Sequence, residues 1–149
     1  LAAACVGPAR EGAAGADAVA AEYDRLFIGV GRAPVALHAS WYLTGFLNER
    51  PLAELRTLLA TWGFARREDA VRTEDHVASL LEAMAMLADS DEPEAARRQR
   101  ELFEAYLAPW YARLAEAIDA SAEAGWYRPA AAVLKTFLDV ERQAFDFES

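Results

Sequence analysis

Between one glycine or proline and the next, the bulky apolar residues of this chain fall three or four positions apart, and that spacing constrains the fold more than any other property. Leu52, Leu55, Leu58, Leu59 and Trp62 make one such stripe, which stops at Gly63. Asn48 suits its N-cap and Pro51 its first turn. Val77, Leu80, Leu81, Met84 and Leu87 make a second, ending at the acidic turn Asp89-Ser90-Asp91-Glu92-Pro93. Val133, Leu134, Phe137, Leu138 and Phe145 make a third, opened by Pro129. A stripe of this period is the face a helix buries against its neighbours.

The same punctuation predicts the remaining elements. A flexible connection over residues 7–15, with Gly7, Pro8, Gly12 and Gly15, leads into a helix marked by Val19, Ala20, Tyr23, Leu26 and Phe27 that stops near Gly29. Residues 29–34 then form a loop, because glycine and proline there disfavour helix. A short helix runs through Trp41, Tyr42 and Phe46. A charged connection over residues 64–72 leads to Thr73. After the acidic turn, a helix from Glu94 to Tyr106 carries the basic run Arg97-Arg98-Gln99-Arg100, Pro109 breaks it, and Trp110, Leu114, Ala117 and Ile118 continue toward Gly125.

Hydrophobic residues make up 54% of the 149, alanine is abundant, and Val, Ile and Thr are sparse. This favours an all-α, single-domain helical bundle spanning residues 1–149. The net charge of −9 argues against a protein that grips nucleic acid through phosphates and makes a basic peptide the more natural partner, although solubility alone is the commoner reason for such acidity. A lone cysteine, Cys5, allows no internal disulfide and no Cys-x-x-Cys site, which fits a reducing cytoplasm. No run of about 18 apolar residues is present to span a membrane, and the apolar residues 1–6 are too short for a secretory signal. The chain begins without Met, so an N-terminal portion is expected to lie outside it.

The segment Thr73-Glu74-Asp75-His76 stands at the mouth of an apolar helix. Thr73 reads as the N-cap, and Glu74 and Asp75 suit the positive end of the dipole. His76 does not, because a protonated imidazole is disfavoured there; it calls for a tertiary partner, a ligand or mere tolerance, and a structural histidine with a hydrogen-bond partner is the commoner case. Catalytic motifs are missing: there is no Gly-x-Ser-x-Gly, no His-Glu-x-x-His and no phosphate loop, and neither His38 nor His76 has a Glu three residues before it for a di-metal site. No enzymatic activity, no cofactor and no metal are expected, and the arginine run reads as an exposed helix face.

Five blocks in series, between residues 23 and 141, resemble the TorD-like family, which includes the DmsD and NarJ types. Tyr23-Asp24-Arg25-Leu26-Phe27-Ile28-Gly29-Val30-Gly31 is similar to the family's Tyr-x-x-Leu-Phe-x-Gly-x-Gly. Pro34-Val35-Ala36-Leu37-His38-Ala39-Ser40-Trp41-Tyr42-Leu43 resembles a segment built around Pro-Tyr-Glu-Ser-Val-Tyr. Glu74-Asp75-His76 is the third block, Phe103-x-x-Tyr106-Leu107-x-x-Trp110 the fourth, and Trp126-Tyr127 with Ala132, Phe137, Leu138 and Glu141 the fifth. The chain departs from the family at His38 and Ala39, where Tyr and Glu are usual, at Leu80, where Glu is common, and at Tyr106, where His is usual.

The resemblance implies an all-helical cytoplasmic chaperone that assists maturation of a molybdenum-cofactor oxidoreductase. Such a protein binds the apo-enzyme and its twin-arginine signal peptide and delays export until the cofactor is inserted. Family members usually carry one or two further N-terminal helices. The resemblance also points to the peptide-binding residues: Asp75 and His76 first, then Arg32, Pro34, His38, Ser40 and Trp41 from the facing loop. A leader of this kind presents two guanidinium groups beside an apolar stretch. Asp75 and Glu74 are the carboxylates expected to take them, with Trp41, Tyr42 and Leu37 lining the groove. The competing reading is a generic acidic helical module with a different basic partner. A monomer is the default, with helix exchange between two chains as the alternative.

Overall fold

The structure is a computed structural model describing residues 13–28 and 33–147. Among the described residues there are seven α-helices and no strand: α1 (Ala13–Tyr23), α2 (Ala39–Thr44), α3 (Arg50–Thr61), α4 (Val77–Ala88), α5 (Ala95–Tyr106), α6 (Tyr111–Ala120) and α7 (Tyr127–Phe147). The all-α expectation is met. By its internal contacts the chain divides into two compact units, one of residues 37–110 and one of residues 1–36 with 111–149.

The first unit holds α2 to α5. Leu52, Leu55 and Leu59 are the buried residues of α3, while Leu58 and Trp62 are half-buried. Pro51 lies in the first turn of α3, but the N-cap is Glu49 rather than Asn48, which takes a left-handed conformation in the preceding turn (φ 57°). Gly45 (φ 87°) ends α2 and Gly63 (φ 83°) follows α3, both in the left-handed region where a β-carbon is penalised. Phe46 lies beyond α2 and is exposed, so the short helix is shorter than its aromatic residues suggest. On α5 the arginine run is tied up in surface ion pairs: Arg97 with Glu94 and Glu101, Arg98 with Glu92, and Arg100 with Glu104. Pro109 does mark a break, with Leu107 and Trp110 buried in the turn after α5.

The second unit contains α1, α6 and α7, with α6 packed on α7. Helix begins at Ala13, so Gly15 is helical rather than part of a connection, whereas Gly7, Pro8 and Gly12 lie outside the described residues. The alanines around Gly15 supply the propensity that glycine lacks. A π-helical turn, Asp24–Ile28, follows α1, and the Val35 N–H donates to the Leu26 carbonyl (3.0 Å). Along α7 the buried positions are Ala131, Leu138 and Phe145, seven residues apart. Phe137, read as core, is 53% exposed because that narrow seam leaves it on the flank.

Candidate functional site

Two of the sequence blocks meet at the starts of α2 and α4. Residues 37–39 and 75–77 pair as a short antiparallel bridge, in which the Ala39 N–H donates to the Asp75 carbonyl (2.9 Å) and the Val77 N–H to the Leu37 carbonyl (2.8 Å). His38 and His76 face each other between those two bonds, at a position where cross-strand side chains come closest. Their rings meet edge to face, with centroids 5.0 Å apart and planes at 87°.

The bridge moves the start of α4. Thr73 is not its N-cap, because residues 73–75 are held outside the helix, and His76 takes that place. Its Nδ1 accepts from the Ala78 N–H at 3.0 Å. A neutral imidazole with its proton on Nε2 is therefore a capping acceptor, and the clash with the helix dipole does not arise. Burial first, then His38 and Arg72, hold the His76 pKa down at about 4 against the pull of Asp75. Burial also lowers His38, with Asp75 opposing.

Asp75 is 1% exposed and Ser40 is fully buried. One Asp75 oxygen accepts from both the Ser40 N–H (3.1 Å) and the Ser40 hydroxyl; the other accepts from the Thr73 hydroxyl at 2.6 Å. Since His38, the residue before α2, makes no side-chain cap, Asp75 supplies that cap from the other segment. Burial pushes its pKa up, but the Ser40 and Thr73 hydroxyls, the Ser40 N–H and His38 outweigh this and leave it below the usual carboxylate value. The Ser-His-Asp coincidence is not a catalytic triad. Ser40 donates directly to the carboxylate with no imidazole between them, and Nδ1 of His76 is taken by a backbone N–H, so the Ser-to-His-to-Asp relay is not formed.

Around this buried pair lie less buried side chains. Leu37, His38, Trp41 and Tyr42 are half-buried, and Tyr42 stacks on Trp110 with centroids 4.9 Å apart. Glu74 pairs with Arg56 Nε at 2.9 Å. The structure thus gathers Leu37, His38, Ser40, Trp41, Tyr42, Glu74, Asp75 and His76 in one unit. Pro34 is exposed and belongs to the other unit, and Arg32 lies outside the described residues. Among the described residues no group of three His, Cys, Asp or Glu side chains is arranged to hold a metal ion, and no helix is long and apolar enough to cross a membrane.

Sequence reasoning missed Glu22. Its buried carboxylate accepts from three consecutive backbone N–H groups, those of Gly125, Trp126 and Tyr127, at 2.8–2.9 Å, and so caps α7. Burial pushes its pKa up, and the three N–H donors and Arg25 bring it below the ordinary glutamate value. Nothing near Glu22 in the sequence signals this, since its donors lie about a hundred residues away.

Among known proteins, the "Chaperone protein TorD" of Photobacterium profundum is 26% identical over 133 residues, which cover 83% of this chain and 62% of that protein. This chain thus spans less than two thirds of that relative's length. No solved structure matches. The nitrate reductase delta subunit family matches over residues 1–116, most of the chain, and the protein accordingly belongs to that family, of TorD-like type.

Proposed function

We propose that this chain is a maturation chaperone for a molybdenum-cofactor oxidoreductase, one that binds the client's twin-arginine signal peptide and apo-form in the cytoplasm and delays export until the cofactor is inserted. The observation that carries the reading is the pairing of two family-like blocks, residues 37–39 against residues 75–77, in a chain that belongs to this family. Leu37, His38, Trp41, Tyr42 and Glu74 are the contacting side chains in this reading. Asp75, Ser40 and His76 set their geometry, because a carboxylate whose lone pairs already serve three donors inside the protein has little to offer an incoming guanidinium.

The test is calorimetric titration of the protein with twin-arginine leader peptides from its own genome, each paired with a Lys-Lys version. Micromolar or tighter binding that weakens for the Lys-Lys peptide supports the reading and names the client. Equal binding of both versions favours a generic acidic module with another basic partner. No binding to any leader refutes the leader role.

A further inference from the structure

With Asp75 enclosed, a leader with two arginines needs carboxylates beyond Glu74, and we infer that a groove between α3 and α5 is a binding site for an arginine-bearing peptide segment, with Glu54 and Glu101 as its carboxylates. The groove has a volume of about 520 Å³, within the range of roughly 300–1,000 Å³ typical of ligand pockets. Ala53 and Leu58 of α3 and Ala105 of α5 give it an apolar floor. Both helices belong to the same unit.

Three features select the occupant. Glu54 and Glu101 stand on opposite helices, and a planar guanidinium has donors to spread over two carboxylates where an ammonium is a point charge. Tyr106, 9% exposed, also lines the groove. Its hydroxyl has no hydrogen-bond partner among the described residues. Burial, Glu54 and Glu101, which line the same groove, all raise its pKa and keep the hydroxyl protonated. Such a group accepts a guanidinium N–H while giving its own proton to a carboxylate. The apolar floor suits the arginine stem and an apolar neighbour in the peptide.

Both carboxylates are held at present by arginines of their own helices, Glu54 by Arg50 at 2.6 Å and Glu101 by Arg97 at 3.0 Å. These pairs are solvent-exposed, a class that contributes little to stability, so an incoming guanidinium displaces them or adds to the second oxygen at small cost. Binding through exposed charges weakens as salt rises.

That the segment is a twin-arginine leader rests on the chaperone reading; the groove's preference for guanidinium does not. The experiment titrates the full chain and the double variant Glu54→Gln/Glu101→Gln with a twin-arginine leader, and separately with n-butylguanidinium followed by amide NMR. The expected result is leader affinity roughly 2- to 30-fold weaker in the double variant, with butylguanidinium shifts at residues 53–61 and 101–106 that the variant loses. If the leader binds both proteins alike, the groove is not its site and the inference is overturned while the chaperone reading stands. If the leader fails to bind even the unaltered chain, the chaperone reading falls, and butylguanidinium decides the groove: shifts that the variant abolishes uphold it, and shifts that are absent or survive overturn it.

Discussion

Replacing Asp75 with alanine separates a carboxylate that holds the site together from one that contacts a ligand. In the folded protein it satisfies the N–H and hydroxyl of Ser40, which is fully buried, and the hydroxyl of Thr73, which is half-buried. Water can replace the carboxylate at Thr73 but reaches Ser40 poorly. Two stranded buried donors cost about 1–3 kcal/mol each, so Asp75→Ala is expected to lose about 2–6 kcal/mol. For a domain of this size about 1 kcal/mol shifts Tm by roughly 2–4 °C, giving a drop of roughly 4–24 °C in a circular dichroism melt at pH 7. Asp75→Asn keeps an acceptor for Ser40 and should lose less, about 1–2 kcal/mol. A melting temperature for Asp75→Ala within about 2 °C of the unaltered protein would refute this capping role. If that stable variant also lost leader binding, Asp75 would be a direct contact.

His76→Ala removes the acceptor for the Ala78 N–H and is expected to cost about 0.5–2 kcal/mol, whereas His76→Asn restores a capping oxygen and recovers most of it; urea denaturation of both variants measures the difference. Stability should also fall with pH. His76 has a pKa of about 4 when folded against 6.5 unfolded, so its neutral form contributes fully above about 6.5. As pH drops from 6.5 toward 4 the unfolded chain binds the proton first and up to about 3 kcal/mol is lost, a slope that denaturation at stepped pH should show and His76→Asn should flatten. Glu22→Gln leaves one oxygen for three N–H donors and should destabilise the unit holding α1 and α7 by about 1–3 kcal/mol, read as faster amide hydrogen exchange at residues 125–127.

Most of the helices could be read from the spacing of apolar residues, because each needs one buried stripe and Gly63, Pro93 and Pro109 interrupt the pattern. The starts were harder. Thr73 has the better local chemistry for a cap, and loses because residues 75–77 pair with residues 37–39, a contact that no window around Thr73 contains. Phe137 was misplaced because its stripe allows either a broad face or a narrow seam, and the packing of α7 takes the seam. Asp75 and His76 were singled out as candidate peptide contacts, but sequence cannot tell a buried carboxylate with internal donors from an open one. The caps that Asp75 and Glu22 provide to α2 and α7 join segments far apart in the chain, and local propensity is blind to such joins.

The Glu22 clamp also sets an order of events during synthesis. Residues 37–110, the whole of one compact unit, emerge as one uninterrupted stretch. The other unit is made of residues on both sides of that stretch, and the Glu22 carboxylate meets its donors only across separations of 103–105 residues. At about 5–20 residues per second, roughly 5–20 s pass between the making of Glu22 and that of its partners. In that interval the carboxylate stays in water, α1 lacks the segment it is to cap, and every residue of the α2–α5 unit has been made. A nascent chain stalled after residue 110 would therefore hold one unit's full set of residues and only the first segment of the other, its glutamate still without the helix it caps.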